Sequence, residues 1–170
     1  VEDYLLSVIS SEMKSSASLE FLKAHAVISR SWVMARIGNR VKASGTLAPA
    51  VHNVHPKDGS ERFVTWFDHE DHKLFDVCAD DHCQRYQGLS MASGDNVRKA
   101  IDQTWGEVLT CEGRICDARF SKCCGGVSET FDTCWGDERH PYLQALPDTP
   151  GHNPGAKAFC DAEDAEILST

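Results

Sequence analysis

One carboxylate near the start of the chain stands in an apolar pattern. Leu5, Val8, Ile9 and Glu12 recur at spacings of three and four residues, which places all four on one stripe of a helix. An acid in that register has two interpretations. It either leans out to solvent at the rim of the core, or it lies in a poorly hydrated cleft, where desolvation raises the pKa of a carboxyl and lets it donate a proton.

Two helices must position this acid. The apolar periodicity predicts a first helix over 2–12 and a second over 19–38, joined by a serine-rich corner at 14–18 and ended by Gly38 and Asn39. The second helix is predicted to bury a stripe formed by Phe21, Ile28, Trp32 and Ala35.

Later segments predict short strands and one more helix. Strands are predicted at 62–67 and 74–77, a third helix over 96–105, and a hairpin over 107–120 that turns at Glu112 and Gly113. That turn sets Cys111 opposite Arg114 and Leu109 opposite Cys116, so the two cysteines are diagonal neighbours ~7 Å or more apart, which is long for a disulfide. They are expected to find other partners or to remain free. The fold class is therefore α+β, with the N-terminal helical pair packed on a mainly antiparallel sheet.

A second group of chemically capable residues lies in the middle of the chain. His72, Cys78, His82 and Cys83 offer two nitrogens and two sulfurs within twelve residues, a set that suits tetrahedral zinc. The alternative is a Cys78–Cys83 disulfide that closes a tight loop and leaves the histidines in solvent.

Composition argues against some functions and gives an indication of the cellular compartment. A net charge of −9 argues against nucleic acid as a partner, because binding it needs a positive surface. No apolar run approaches the ~20 residues that span a membrane. Eight cysteines in 170 residues indicate either an oxidising compartment with disulfides or bound metal.

Three motifs resemble those of the stage II sporulation protein D family in order and spacing. The first consists of segments 4–13 (YLLSVISSEM) and 20–27 (EFLKAHAV) with Arg30. The second is 83–88 (CQRYQG) and the third is 121–129 (SKCCGGVSE). The chain departs from the usual pattern at Lys14 and Ser18, where prolines are common, and at His25, where glutamine is common.

The resemblance implies a function and a set of site residues. Known members are peptidoglycan lytic transglycosylases, and the glutamate that matches Glu12 is their catalytic acid. Arg30, Gln84 and Tyr86, with Ser121, Cys124, Gly125, Gly126 and Ser128 of the glycine loop, are then expected to bind the glycan. The loop also has a plainer interpretation, a glycine bulge with a structural cysteine. Structural zinc on His72, Cys78, His82 and Cys83 is expected as the cofactor.

The resemblance also suggests an organisation and a location. Residues 1–148 are expected to form the catalytic domain, with 149–170 as a polar loop and a C-terminal extension. The chain starts without methionine in mid-pattern, so we expect a fragment of a longer extracytoplasmic protein whose signal or anchor precedes it. The alternatives are a non-catalytic wall-binding partner that enhances an amidase, and a metal-stabilised extracellular domain without catalysis.

Overall fold

Three helices that pack on one another form the frame that carries Glu12. In the computed structural model they are α1 (Glu2–Glu12), α2 (Leu19–Lys42) and α3 (Asp95–Gln103). The structure describes residues 1–42, 74–79, 83–91, 94–121, 124, 126–135 and 139–148. The predicted strand at 62–67 and the predicted extension at 149–170 lie outside these residues.

The first helix confirms its predicted bounds, whereas the second continues past its predicted end. The helix α2 runs through Gly38 to Lys42. A glycine ends a helix when the chain needs the left-handed conformation there. Gly38 keeps a helical conformation and a Cβ built on it would meet nothing within 4 Å, so no contact forces the chain to turn at this point.

The core between the three helices is apolar and includes two alanines. Its buried members are Leu5, Leu6, Ile9, Leu22, Ala26, Val97, Ala100 and Ile101. The predicted stripe of α2 is wrong at Phe21, which is 47% exposed, because the face turned to α1 and α3 runs instead through Leu22 and Ala26. Ala26 and Ser29 are fully buried there, and such small side chains let the helices approach closely.

The start of α3 touches the corner between the first two helices. Gly94 is the N-cap of α3 and has φ +119, a conformation that side chains rarely adopt. A Cβ added at Gly94 would lie 2.9 Å from the Cβ of Ser15. Glycine therefore fits this position for two reasons, its backbone angle and the close approach.

The turn and the register of the predicted hairpin are confirmed, although its strands are much shorter than the predicted range of 107–120. Strands β1 (Thr110–Cys111) and β2 (Arg114–Ile115) pair antiparallel, with Cys111 opposite Arg114. The N–H of Cys116 donates to the carbonyl of Leu109 at 2.9 Å, as expected for that register. Glu112 and Gly113 have φ of 50° and 74°, the positive angles of a two-residue hairpin turn. Ser31 of α2 holds the hairpin, because its Oγ accepts from the N–H of Leu109 at 2.8 Å.

The strand predicted at 74–77 is wrong. These residues form bends without a ladder partner in the described part of the chain, and Leu74 and Phe75 are 90% and 51% exposed. A short apolar run becomes a strand only where another edge accepts its hydrogen bonds. The described elements, helices with one small antiparallel sheet, nevertheless confirm the α+β class.

The chain divides into two compact units, Val1–Ala118 and Arg119–Thr170. In the second unit a short helix, α4 (Phe131–Cys134), is accompanied by an isolated antiparallel bridge between Val127 and Pro147. The guanidinium of Arg119 lies over the rings of Phe131 and Trp135 at 5.7 and 5.6 Å. Across the described ranges, no helix combines the length and apolar character needed to cross a membrane.

Candidate functional site

Glu12 is the last residue of α1 and is half-buried. The stripe that carries it is confirmed as buried, since Leu5, Val8 and Ile9 are 0% exposed. The chain becomes extended at Met13, so the carboxylate lies where the helix ends. Periodicity places Glu12 in line with core residues, and the end of the helix lets its side chain reach the surface.

The carboxylate is held by one oxygen. Its Oε1 accepts a hydrogen bond from the backbone N–H of Arg85 at 2.8 Å. Within the described part of the chain, Oε2 has no hydrogen-bond partner and the carboxylate forms no ion pair. The acid is thus oriented by a main-chain donor, and one of its oxygens is left for other chemistry.

Residues 83–88 supply that donor and lie along α1. Near one end of the segment, the Tyr4 hydroxyl donates to Oε1 of Gln84 at 3.1 Å. At the other end, Ser7 Oγ donates to the carbonyl of Gly88 at 3.0 Å. The rings of Tyr4 and Tyr86 stack with centroids 5.7 Å apart and an interplanar angle of 6°. The segment is therefore attached to α1 on both sides of Arg85.

Gln84 lies inside the protein. It is 4% exposed, and its Nε2 donates to the carbonyl of Ser29 in α2 at 3.3 Å while its Oε1 accepts from Tyr4. Burial raises the pKa of Tyr4 above its usual range, and the neighbouring Cys83 raises it further. The Tyr4 hydroxyl therefore keeps its proton and stays a donor to Gln84.

The side chain of Arg85 is exposed, although the backbone N–H of the same residue contacts Glu12. Arg85 is exposed, and its guanidinium is steadied by the side-chain oxygen of Gln87, which accepts from Nε at 3.1 Å and from Nη2 at 3.0 Å when the Gln87 amide is oriented to satisfy both groups. Among the described residues, no carboxylate forms an ion pair with Arg85. A positive charge consequently remains on the surface, on the residue whose backbone holds the acid.

Arg30 occupies the opposite end of α1. It is 2% exposed, and its Nε and Nη2 donate to the two carboxylate oxygens of Glu2 at 3.0 and 2.7 Å. Its Nη1 donates to the carbonyl of Glu107 at 3.0 Å. Ten residues separate Glu2 from Glu12, or about 15 Å along a helix. Arg30 thus joins α1, α2 and the approach to the hairpin, and its predicted contact with the glycan stays a prediction.

Two of the four predicted metal ligands lie together. Cys78 and Cys83 pack with Trp32 and Val33, and burial raises the pKa of the Cys83 thiol, opposed by a hydrogen bond from the Cys78 backbone. No disulfide joins any two of the six described cysteines, so the alternative Cys78–Cys83 disulfide is wrong in this structure, and Cys111 and Cys116 are not joined to each other, as predicted. The predicted ligands His72 and His82 lie outside the described residues, among which no cluster of three or more ligand side chains occurs.

The predicted glycine-loop residues belong to the second unit. Ser121 is exposed, and Cys124 donates to Oδ2 of Asp148 at 3.5 Å. The Gly126 carbonyl accepts from the N–H of Asp148 at 2.9 Å. Ser128 Oγ donates to the carbonyl of Gln144 at 2.8 Å and accepts from the N–H of Leu146 at 2.9 Å. Hydrogen bonds within the unit thus hold this loop, whereas Gly125 lies outside the described residues.

Within the first unit, the structure brings Glu12, Gln84 and Tyr86 together along α1, whereas Arg30 lies at the other end of that helix. The glycine loop belongs to the second unit. Sequence analysis missed Tyr4 and Ser7, although both stand in the motif that contains Glu12. It also missed Arg85, whose backbone N–H holds the acid, because a main-chain donor leaves no signal in residue type.

Comparison with known proteins finds similarity over the part of the chain that contains Glu12. A model of the stage II sporulation protein family matches residues 1–111, which include α1, α2, α3 and residues 83–88. The amidase enhancer of Bacillus subtilis (strain 168) is 32% identical over 145 residues. That alignment covers 85% of this chain but 15% of the relative. The chain therefore belongs to the stage II sporulation protein family, SpoIID.

Proposed function

We propose that the protein is a peptidoglycan lytic transglycosylase that cleaves the bond between N-acetylmuramic acid and N-acetylglucosamine. The observation that carries the proposal is the state of the Glu12 carboxyl, half-buried and anchored through Oε1 alone. A general acid needs a fixed position and one oxygen that can carry a proton. The Arg85 N–H provides the first, and the unpartnered Oε2 in the described structure provides the second.

The reaction needs one carboxyl group and no water. Glu12, protonated on Oε2, gives its proton to the glycosidic oxygen as the bond from that oxygen to the muramoyl anomeric carbon breaks. The carboxylate then takes the proton from the muramoyl 6-hydroxyl, whose oxygen attacks the anomeric carbon and closes a 1,6-anhydro ring. Glu12 ends as the neutral acid, ready for another turnover, and the nucleophile comes from the substrate.

The contact with Arg85 suits both forms of the acid. In the neutral form Oε1 is the carbonyl oxygen, which accepts the Arg85 N–H while Oε2 carries the proton. In the ionised form the same N–H stabilises the negative charge through a charge-assisted hydrogen bond. The side chain therefore keeps one position while its protonation state changes, which favours an acid that must act next as a base.

We further propose structural zinc, with Cys78 and Cys83 as two of its ligands. The two cysteines pack with Trp32 and Val33 and are not joined to each other by a disulfide, as a pair of sulfur ligands requires. His72 and His82 are the proposed nitrogen ligands. Zinc with four protein ligands has no open position, so its contribution would be to hold residues 78–83 and, through them, the segment that contains Gln84 and Arg85.

A second candidate function is enhancement of an amidase without catalysis. The name of the Bacillus subtilis relative favours it, although this chain spans only 15% of that protein. In that role Glu12 and residues 83–88 would form part of a surface that binds the wall or the amidase. Both candidates act on the cell wall of a bacterium and therefore agree with an extracytoplasmic location.

Purified peptidoglycan distinguishes the two candidates. The protein is incubated with intact sacculi and with glycan strands freed of stem peptides, and the products are analysed by mass spectrometry. Release of 1,6-anhydromuramoyl products by the wild-type protein supports the transglycosylase. An unchanged wall, together with faster release of stem peptides when a cell-wall amidase is added, would instead support the enhancer.

A further inference from the structure

We infer that Tyr4 and Gln84 are positioning residues that set the orientation of Glu12 through the backbone of Arg85. The inference deepens the proposed function and rests on it for the effect on turnover. It differs from the sequence prediction, in which Gln84 contacts the glycan. Neither side chain touches Glu12, so both would act through the main chain.

Burial and hydrogen bonding determine the role of Gln84. The side chain is 4% exposed, and each end of its amide has a partner in a different helix, Tyr4 in α1 and Ser29 in α2. A substrate could reach neither end without displacing one of these partners. The amide instead fixes the backbone of residue 84 relative to both helices.

Arg85, the residue after Gln84, connects the position of Gln84 to that of Glu12. Residue 85 follows Gln84 directly, and its N–H is the one that donates to Glu12 at 2.8 Å. That N–H belongs to the peptide unit that joins residues 84 and 85, which is planar and rigid. A shift of the Gln84 backbone therefore moves the donor itself, and a hydrogen bond weakens steeply as its angle and length leave the preferred range.

Tyr4 contributes through two separable contacts. Its hydroxyl donates to Gln84, and its ring stacks on Tyr86, so it holds the residues on both sides of Arg85. Tyr4→Phe removes only the hydroxyl and keeps the stacked ring. Gln84→Met keeps the length of the side chain and removes the amide. Because both variants interrupt one connection, the double variant should be no worse than the more affected single variant.

The test combines two measurements on the same preparations. Hydrogen exchange of the Arg85 amide, followed by NMR, should be about tenfold faster in Tyr4→Phe and in Gln84→Met, as expected when one hydrogen bond is weakened. Exchange in Glu12→Gln should stay close to that of the wild-type protein, because the glutamine oxygen still accepts from the Arg85 N–H. Turnover of glycan by Tyr4→Phe and Gln84→Met should fall by roughly tenfold with KM unchanged, because the loss lies in the orientation of the acid and not in binding.

Ser31→Ala is the matched control. It removes a buried hydroxyl that donates to the Val27 carbonyl at 2.6 Å and holds the hairpin, away from Glu12. It should lower thermal stability without changing Arg85 exchange or turnover. A raised KM in Gln84→Met would overturn the inference in favour of a glycan contact, and so would unchanged Arg85 exchange in Tyr4→Phe. If the wild-type protein releases no anhydro product while the exchange results hold, the proposed function fails and the positioning role remains.

Discussion

Arg30 and Glu2 form a two-point ion pair at the start of α1, with Nε–Oε1 and Nη2–Oε2 distances of 3.0 and 2.7 Å. The arginine is 2% exposed and the glutamate 17%, so the pair is largely out of water. Together with the Arg85 contact at Glu12, it secures both ends of the helix that carries the proposed acid.

Removing one partner of this ion pair should lower the stability of the protein. Glu2→Gln leaves the buried guanidinium without its counter-charge, and we expect the free energy of unfolding to fall by about 3 kcal/mol. The matched control is Glu20→Gln, which breaks the exposed Lys23–Glu20 pair at 2.7 Å, a contact of the kind that contributes only ~0.3–0.5 kcal/mol. Urea denaturation of both variants measures the difference. Equal losses would show that the Arg30–Glu2 pair is not stabilising α1.

The variant Glu12→Gln tests the proposed acid. The amide keeps the shape of the side chain and an oxygen that accepts from Arg85, but it cannot give a proton, so release of anhydro products should fall by ~10²–10⁴. The melting temperature should change little, because the hydrogen bond at 2.8 Å is preserved. Product analysis and thermal denaturation are done on one preparation. Full activity in this variant would refute the catalytic assignment.

His25 should make the protein sensitive to acid. Burial lowers the pKa of His25 to about 4 in the folded protein, whereas the usual value is 6.5. Between these values the unfolded chain binds more protons, so the free energy of unfolding should decrease as the pH falls from 6.5 to 4, by roughly 3 kcal/mol in total. Above pH 6.5 the histidine contributes no slope.

The difference between the wild-type protein and His25→Gln isolates this effect from the other titrating groups. Denaturant unfolding at several pH values from 4.5 to 7.5 should give a gap that changes with pH below 6.5 and is constant above it. Parallel curves throughout would show that the histidine has the same pKa in both states.

Two glycines should respond in opposite directions to alanine. Gly94→Ala puts a Cβ at 2.9 Å from that of Ser15 in a backbone with φ +119, so we expect a loss of about 1–3 kcal/mol. Gly38→Ala lies within α2 and meets nothing within 4 Å, so a gain of about 0.5–1 kcal/mol is expected from helix propensity. Thermal denaturation of both variants checks the two signs, and stabilisation by Gly94→Ala would contradict the close packing at Ser15.

Metal analysis tests the zinc proposal. The protein purified without chelator should contain about one zinc ion for each chain, and removal by a chelator should lower the melting temperature, since metal bound only to the folded state stabilises it. Cys78→Ser should lose the metal. Cys111→Ser, which changes a free thiol of the hairpin, should keep it. Metal-free protein with an unchanged melting temperature would refute the site.

Local patterns predicted α1 and the hairpin turn well, but they placed the end of α2 too early and predicted a strand at 74–77 that does not form. They predicted the contacts between elements poorly. The bounds of α1 and the register of the hairpin follow from apolar spacing and from the Glu112–Gly113 turn, both of which act over a few residues. Phe21 was wrongly placed in the core because periodicity finds a face without saying which neighbour covers it. Arg30 shows the same limit, since its partners Glu2 and the Glu107 carbonyl are 28 and 77 residues away.

The contacts around Glu12 join parts of the chain that are far apart in sequence and are therefore synthesised at different times. Glu12 and Arg85 are 73 residues apart in sequence, and the Tyr4–Gln84 and Ser7–Gly88 contacts span 80 and 81. Closing so long a loop costs entropy before any of these bonds can form, and topologies rich in distant contacts fold slowly. We therefore expect the acid to be oriented late in folding, after the helical pair has formed, because a nascent chain that ends before residue 85 carries Glu12 without the donor that orients it.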